Sequence, residues 1–130
     1  MKTSFLLDTH TILWFLNGDT TLSKKALGII KLRSNQCFVS IASLWEITIK
    51  LKLGKLQLDT DLNTFGKILL ANEIEILQIT MDHLVELMEL ENVHRDPFDR
   101  MIISQAKQEN IPIITKDSLI CTYKNIEVVW

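Results

Sequence analysis

Four acidic positions, Asp8, Glu46, Asp99 and Asp117, carry the chemistry this sequence offers. Each has a structural explanation when taken singly. Asp8 follows an apolar run and is placed to cap the next helix. Ser43-x-x-Glu46 fits a capping box, with Lys50 one turn on as an ion-pair partner. Asp96-Pro97-Phe98-Asp99 reads as a helix start, with Asp96 at the N-cap and Pro97 in the first helical position. Asp117 is placed to cap a last short helix. A cap contributes about 1 kcal/mol. Two carboxylates about 4 Å apart repel by roughly 4 kcal/mol at an effective dielectric of 20. Carboxylates that converge therefore need a proton or a cation. Oxygen-only donors without a supporting Cys or His cluster suit Mg²⁺ or Mn²⁺ rather than Zn²⁺.

The elements decide whether these acids meet. Apolar runs at Ser4–Leu7, Cys37–Val39, Ile74–Ile79, Pro112–Ile114 and Glu127–Val129 read as strands. Between them, Leu22–Arg33, Asp61–Asn72, Met81–Leu90 and Phe98–Glu109 space their apolar residues as helices do. Strands alternating with helices predict an α/β fold, a parallel sheet of about five strands with helices on both faces. In such a sheet the carboxyl ends of the strands and the amino ends of the following helices share one rim. All four acids are then expected on one crevice. Residues 47–58 alternate like a hairpin turning at Gly54-Lys55. As a helix over 43–53 the same stretch carries two separate apolar stripes and would be buried on both sides. Thr11–Leu16 is apolar all round in the same way.

Competing chemistries find little support. The four glycines, Gly18, Gly28, Gly54 and Gly66, are isolated, so neither a dinucleotide fingerprint nor a P-loop is present. His10, His83 and His94 lack paired metal spacing, and no G-x-S-x-G nucleophile accompanies them. His94 beside Arg95 fits a surface or loop role better than a phosphate contact. His10, two residues beyond Asp8, fits the crevice wall and simple packing equally well. A phosphoacceptor receiver domain needs an Asp closing its third strand, where this chain has Ile79-Thr80. A haloacid-type phosphatase needs a second acid at the position of His10.

With 130 residues, 47% apolar and 23% charged, the chain is expected to form one globular domain over residues 1–130. Cys37 and Cys121 are expected as buried thiols in a reducing cytoplasm. No apolar run is long enough for a membrane span, and the start is too short for a signal peptide, so a soluble, unprocessed protein is expected. The net charge of −2 argues against broad neutralisation of a nucleic-acid duplex and confines any such contact to a local patch.

Four segments in series resemble the PIN-domain ribonucleases, and within them the VapC-type toxins of bacterial type II toxin–antitoxin systems. They are Leu6-Leu7-Asp8-Thr9-His10, Ser40-x-x-Ser43-Leu44-Trp45-Glu46-Ile47, His94-Arg95-Asp96-Pro97-Phe98-Asp99-Arg100-Met101-Ile102, and Ile114-Thr115-Lys116-Asp117 before Tyr123. The resemblance spans the whole chain. It implies a three-layer α/β/α sandwich and makes Asp8, Glu46, Asp99 and Asp117 the acidic quartet that binds Mg²⁺ or Mn²⁺ for hydrolysis of RNA phosphodiester bonds. It favours Asp99 over Asp96 as the third acid and makes the 43–53 segment helical. Thr9, Ser43 and Thr115 are candidates to fix carboxylate rotamers. Lys50, Lys52, Lys55 and Lys116 are candidates for an RNA-facing surface, or for an ordinary solvated face. The alternative within the same fold is a PIN-like module that binds RNA or protein without catalysis.

Trp14, Phe15, Trp45 and Ile49 exceed what two short helices need if each buries only one face. They suggest a homodimer contact and a groove for a cognate antitoxin, against the alternative of a thick core in one chain.

Overall fold

Adjacent residues of a strand point to opposite faces, and the first strand shows what that does here. It runs over Thr3–Leu7 (β1), and both Leu6 and Leu7 are fully buried. Leu7 packs with Ile12, Val39, Ile47, Phe65, Leu69 and Ile114 on one side of the sheet. Leu6 packs with Leu90, Ile102, Ile103, Ala106 and Ile113 on the other. Two cores on two faces make three layers.

The computed structural model describes residues 2–130. After β1 come α1 (Thr9–Asn17), α2 (Lys24–Lys31), β2 (Asn35–Ser40), α3 (Ile41–Lys52), α4 (Leu62–Ala71), β3 (Ile74–Leu77), α5 (Met81–Glu89), α6 (Pro97–Glu109), β4 (Ile113–Ile114), a 3-10 turn (Ile120–Thr122) and β5 (Val128–Val129). The strands form one sheet in the order β3-β2-β1-β4-β5, and every pair is parallel. The expected α/β/α architecture is the observed one. No helix among the described residues is long and apolar enough to cross a membrane.

Most boundaries fall where polar side chains replace missing backbone partners. Asp8, Ser23, Ser40, Asp61, Thr80 and Asp96 cap α1 to α6 in turn, each accepting a hydrogen bond from a first-turn N–H. The expected third strand, Ile74–Ile79, stops at Leu77. It is an edge strand whose neighbour β2 ends with Ser40 opposite Leu77, so nothing remains to pair Gln78 and Ile79.

The alternating stretch after Ser40 is helical. Its helix α3 packs against α1 and α6. One apolar stripe, with Ile47 buried and Leu44 and Leu51 half-buried, enters the core, whereas Trp45, Ile49 and Leu53 of the other are exposed, so the expected burial on both sides does not occur. Thr48 donates its hydroxyl proton to the Leu44 carbonyl one turn back, which satisfies its polar group within the helix. The helix begins earlier than the sequence suggests, and the capping box at Ser43 and Glu46 does not form. Ser40 takes the cap by accepting from the Ala42 N–H, which leaves Ser43 and Glu46 buried in the helix interior and free for other partners.

Cys37 is buried in the core, and burial pushes its thiol up to about 11. Cys121 departs from expectation and is exposed. Residues three apart eclipse in a 3-10 turn. Ile120 and Tyr123 face inward there, and Cys121 faces out.

Candidate metal centre

The carboxyl ends of β1 and β4 lie side by side, with Leu7 opposite Ile114. One residue further on, Asp8 meets Thr115. Asp8 is only 5% exposed, and both its oxygens are engaged. Oδ1 accepts from the Thr11 N–H at 2.8 Å, and Oδ2 accepts from the Thr115 hydroxyl. The Thr11 hydroxyl donates to the Ile114 carbonyl at 2.8 Å, tying α1 to β4. The Thr115 hydroxyl in turn accepts from the Asp117 N–H at 3.0 Å, so one hydroxyl links the two acids.

Glu46 is equally enclosed, at 6% exposed. The Thr9 hydroxyl donates to its Oε1 at 2.8 Å and lies 3.0 Å from the Ser43 hydroxyl. Lys50 Nζ stands 2.9 Å from Oε2, one turn along α3. Of the three candidate hydroxyls, Thr9 and Thr115 contact carboxylates directly, whereas Ser43 touches only the Thr9 hydroxyl.

Asp99 and Asp117 are arranged differently. Their side chains are 21% and 30% exposed, and the ring of His94 stands between them. His94 Nε2 lies 3.0 Å from Asp117 Oδ2 and 3.2 Å from Asp99 Oδ2. Asp96 is occupied elsewhere, its Oδ1 accepting from the N–H groups of Phe98 and Asp99 as the cap of α6. Asp117 Oδ1 accepts from the Leu119 N–H, shaping the chain ahead of the 3-10 turn; that turn itself has no side-chain cap.

Burial raises Asp99 above its ordinary range, and the negative charge of Asp96 adds to the effect. His94 opposes the rise, while Glu46 and Asp117 reinforce it, and the carboxyl is pushed up to about 7. Asp99 thus feels all three neighbouring carboxylates, and a divalent cation would answer that field. His94, Asp99 and Asp117 each offer one ligand atom within 4.8 Å of the others. Asp8 and Glu46 fall outside that tight group. Asp8 nevertheless shares the wall of one cleft with Asp117, His10, Trp14, Lys116 and Ser118. The acids offer hard oxygens, the set that suits Mg²⁺ or Mn²⁺, but the expected oxygen-only site also has a histidine nitrogen at its tightest point.

His94 lies in a loop, as expected, but sequence reasoning missed its place between two of the acids. No ligand spacing marks it. Its one signal is its place two residues before the cap of α6, from where the loop turns its ring back over the helix start. Arg100 fixes that loop by donating to the carbonyls of Glu91 and His94 at 2.9 and 3.3 Å. His10 lines the cleft beside Asp8, its ring 5.5 Å from that of Trp14.

A parallel α/β/α domain with carboxylates gathered on the carboxyl rim defines a class, and the comparisons agree with it. The family model of the PIN domain matches residues 5–125, and the chain belongs to that family. Among solved structures the fold is similar to VapBC2 from Rickettsia felis, bound to a DNA fragment from its promoter, with a TM-score of 0.74, 16% identity and 98% of each chain covered. It is similar to a toxin–antitoxin complex from Klebsiella pneumoniae, with a TM-score of 0.65, 16% identity, and 96% of this chain and 95% of that one covered. It is also similar to VapC20 from Mycobacterium tuberculosis, a sarcin–ricin loop cleaving toxin, with a TM-score of 0.62, 14% identity, and 95% and 98% covered. No sequence among the curated proteins matches significantly.

Proposed function

We propose that this chain is a metal-dependent endoribonuclease of the VapC type, a single domain acting as the toxin of a type II toxin–antitoxin pair in the cytoplasm. The observation that carries the proposal is the gathering of acids at one end of the sheet, with Asp99 and Asp117 joined through His94 and Asp8 sharing a cleft wall with Asp117. The fold likeness to a sarcin–ricin loop cleaving toxin and to a toxin–antitoxin complex supports it.

Asp8, Glu46, Asp99 and Asp117 are the residues that would hold Mg²⁺ or Mn²⁺. When bound, such a cation lowers the pKa of a coordinated water and neutralises charge on the phosphate. The chain's own contribution is position. Thr9 and Thr115 fix the rotamers of Glu46 and Asp8, and either Asp117, which lines the cleft with Asp8, or Glu46 would orient the attacking water. Lys116 on the cleft wall supplies local positive charge for an RNA phosphate.

Two surfaces suit partners. Trp14 and Phe15 line a cleft of about 510 Å³ with Leu22, Leu27 and Ile68, edged by Lys24 and Lys31. An antitoxin segment with apolar anchors and acidic flanks fits it. Trp45, 61% exposed and edge-on to Phe98, lies with exposed Ile49 on α3 and suits a second copy of the chain.

The deciding experiment is cleavage of a diverse RNA pool with Mg²⁺ or Mn²⁺, run beside Asp8→Ala and Asp99→Ala proteins shown to be folded. Cleavage by the wild type alone is expected. A wild type that cleaves nothing, or variants that cleave as well as it does, would overturn the proposal. A wild type that binds metal and RNA yet leaves the RNA intact would establish the non-catalytic module instead.

A further inference from the structure

Every polar atom of His94 has a partner. Its backbone N–H donates to the Tyr123 hydroxyl at 2.6 Å, and its carbonyl accepts from Arg100. Its ring Nδ1 accepts from the Asp96 N–H at 3.3 Å. An imidazole nitrogen that accepts a hydrogen bond carries no proton, so the ring proton sits on Nε2. That atom faces Asp99 Oδ2 and Asp117 Oδ2 together.

A metal-ligating imidazole needs a free lone pair on the ligating nitrogen. Nε2 of His94 would gain one only by moving its proton to Nδ1, where it would confront the Asp96 N–H. That N–H belongs to the cap residue of α6, which cannot turn away without loosening the start of the helix that carries Asp99. The backbone thus selects one tautomer.

Building on the nuclease reading above, we propose that His94 is a positioning residue that donates its Nε2 proton to Asp99 and Asp117 and holds both carboxylates for the cation without ligating it. The residue ties the α6 start to the segment after β4, two parts of the chain that share no strand pairing. Neighbours that orient metal-binding carboxylates typically alter metal affinity by about 10- to 100-fold when removed.

The test uses the full-length protein. Heteronuclear NMR of the His94 ring, in mildly alkaline buffer, should show the Nε2–H tautomer both before and after Mg²⁺ is added. Calorimetric Mg²⁺ titration should show His94→Ala weakened by about 10-fold or more and His94→Gln recovering most of the loss, because its amide N–H reaches the same place. An Nδ1–H tautomer, a tautomer change on adding Mg²⁺, or Mg²⁺ binding by His94→Ala equal to wild type would overturn the proposal. A His94→Gln protein as weak as His94→Ala would also overturn it. The nuclease reading fails separately: Mg²⁺ bound with the expected tautomer but no RNA cleaved would strike that reading and leave the role of His94 standing.

Discussion

Asp8 and Glu46 on one side of the rim, and Asp99 and Asp117 on the other, differ in what holds them. The first pair is buried and served by hydroxyls and a backbone N–H that the strands and helices bring together on folding. The second pair is partly open to water and joined by one imidazole from a loop. The first is therefore set by the same contacts that stabilise the fold. The second carries the electrostatic tension, since Asp99 sits among carboxylates with only His94 opposing them. In the proposed site, the built half would supply geometry and the tense half the pull for a cation.

Removing an acid from either half should have the largest effect, and the same one. Asp8→Ala and Asp99→Ala should each lose RNA cleavage by about a thousandfold or more, the scale of the several kcal/mol that a bound cation supplies. Single-turnover cleavage measures it, with circular dichroism to show that both proteins fold. Loss in one variant only would mean that the two halves do not form one site.

Stability should separate the halves. Thr115→Val strips a donor from a buried oxygen of Asp8, and urea unfolding should show a loss of about 1–3 kcal/mol. Asp117→Asn keeps the acceptor for the Leu119 N–H and removes one of the repelling charges, so its stability should change by about 0.5 kcal/mol or less. It should nonetheless bind Mg²⁺ poorly. If Asp117→Asn proves as destabilised as Thr115→Val, the contrast between a structural and a functional half collapses.

The pH dependence should belong to the tense half. Native Asp99 keeps its proton up to about 7, whereas the unfolded chain releases it near 3.8. Between those values the native state binds more protons, so the contribution of Asp99 to stability is full below the lower value and is lost as pH rises through about 7. Metal-free protein should lose this increment over that window, while Mg²⁺ affinity should rise over the same window as the carboxyl ionises. Thermal melts with chelator and with Mg²⁺ measure both slopes. An Asp99→Asn protein that keeps the same stability slope would assign it to another group.

The element ends were legible in both halves. Asp8 after an apolar run and the Asp96-Pro97 start identify element ends, because strand period and cap chemistry are local properties. The shared rim follows from the parallel sheet alone. The misreadings lie where a tertiary partner outbids a local one. Ser43 and Glu46 have capping-box spacing, yet Ser40 takes the cap and Thr9, 37 positions away from Glu46, takes the carboxylate. Residues 47–58 alternate like strands, yet packing of Ile47, with Leu44 and Leu51, into the core against α1 and α6 makes α3 a helix and leaves Trp45, Ile49 and Leu53 outside. His94 was illegible for the same reason, since its partners include Asp117 and Tyr123, both far along the chain. The net charge of −2 also misled as a single number. If the proposed site commits four of the 16 acids to a cation, 12 stand against 14 basic residues, and the remainder is +2, compatible with a short RNA contact.

The smallest expected effect tests whether the built half depends on its one exposed member. Lys50 pairs with Glu46 at 2.9 Å, but the lysine side chain is 40% exposed, and such a pair on a helix is worth about 0.5 kcal/mol or less. Lys50→Met keeps the aliphatic stem and removes the charge. Glu46 retains its hydrogen bond from Thr9, so its rotamer should persist and unfolding should shift by no more than that amount. Mg²⁺ binding should hold or strengthen slightly, because a competing cation has been removed from the carboxylate. A large loss of affinity in this variant would show that Lys50, rather than the Thr9 hydroxyl, is what keeps Glu46 aimed at the site.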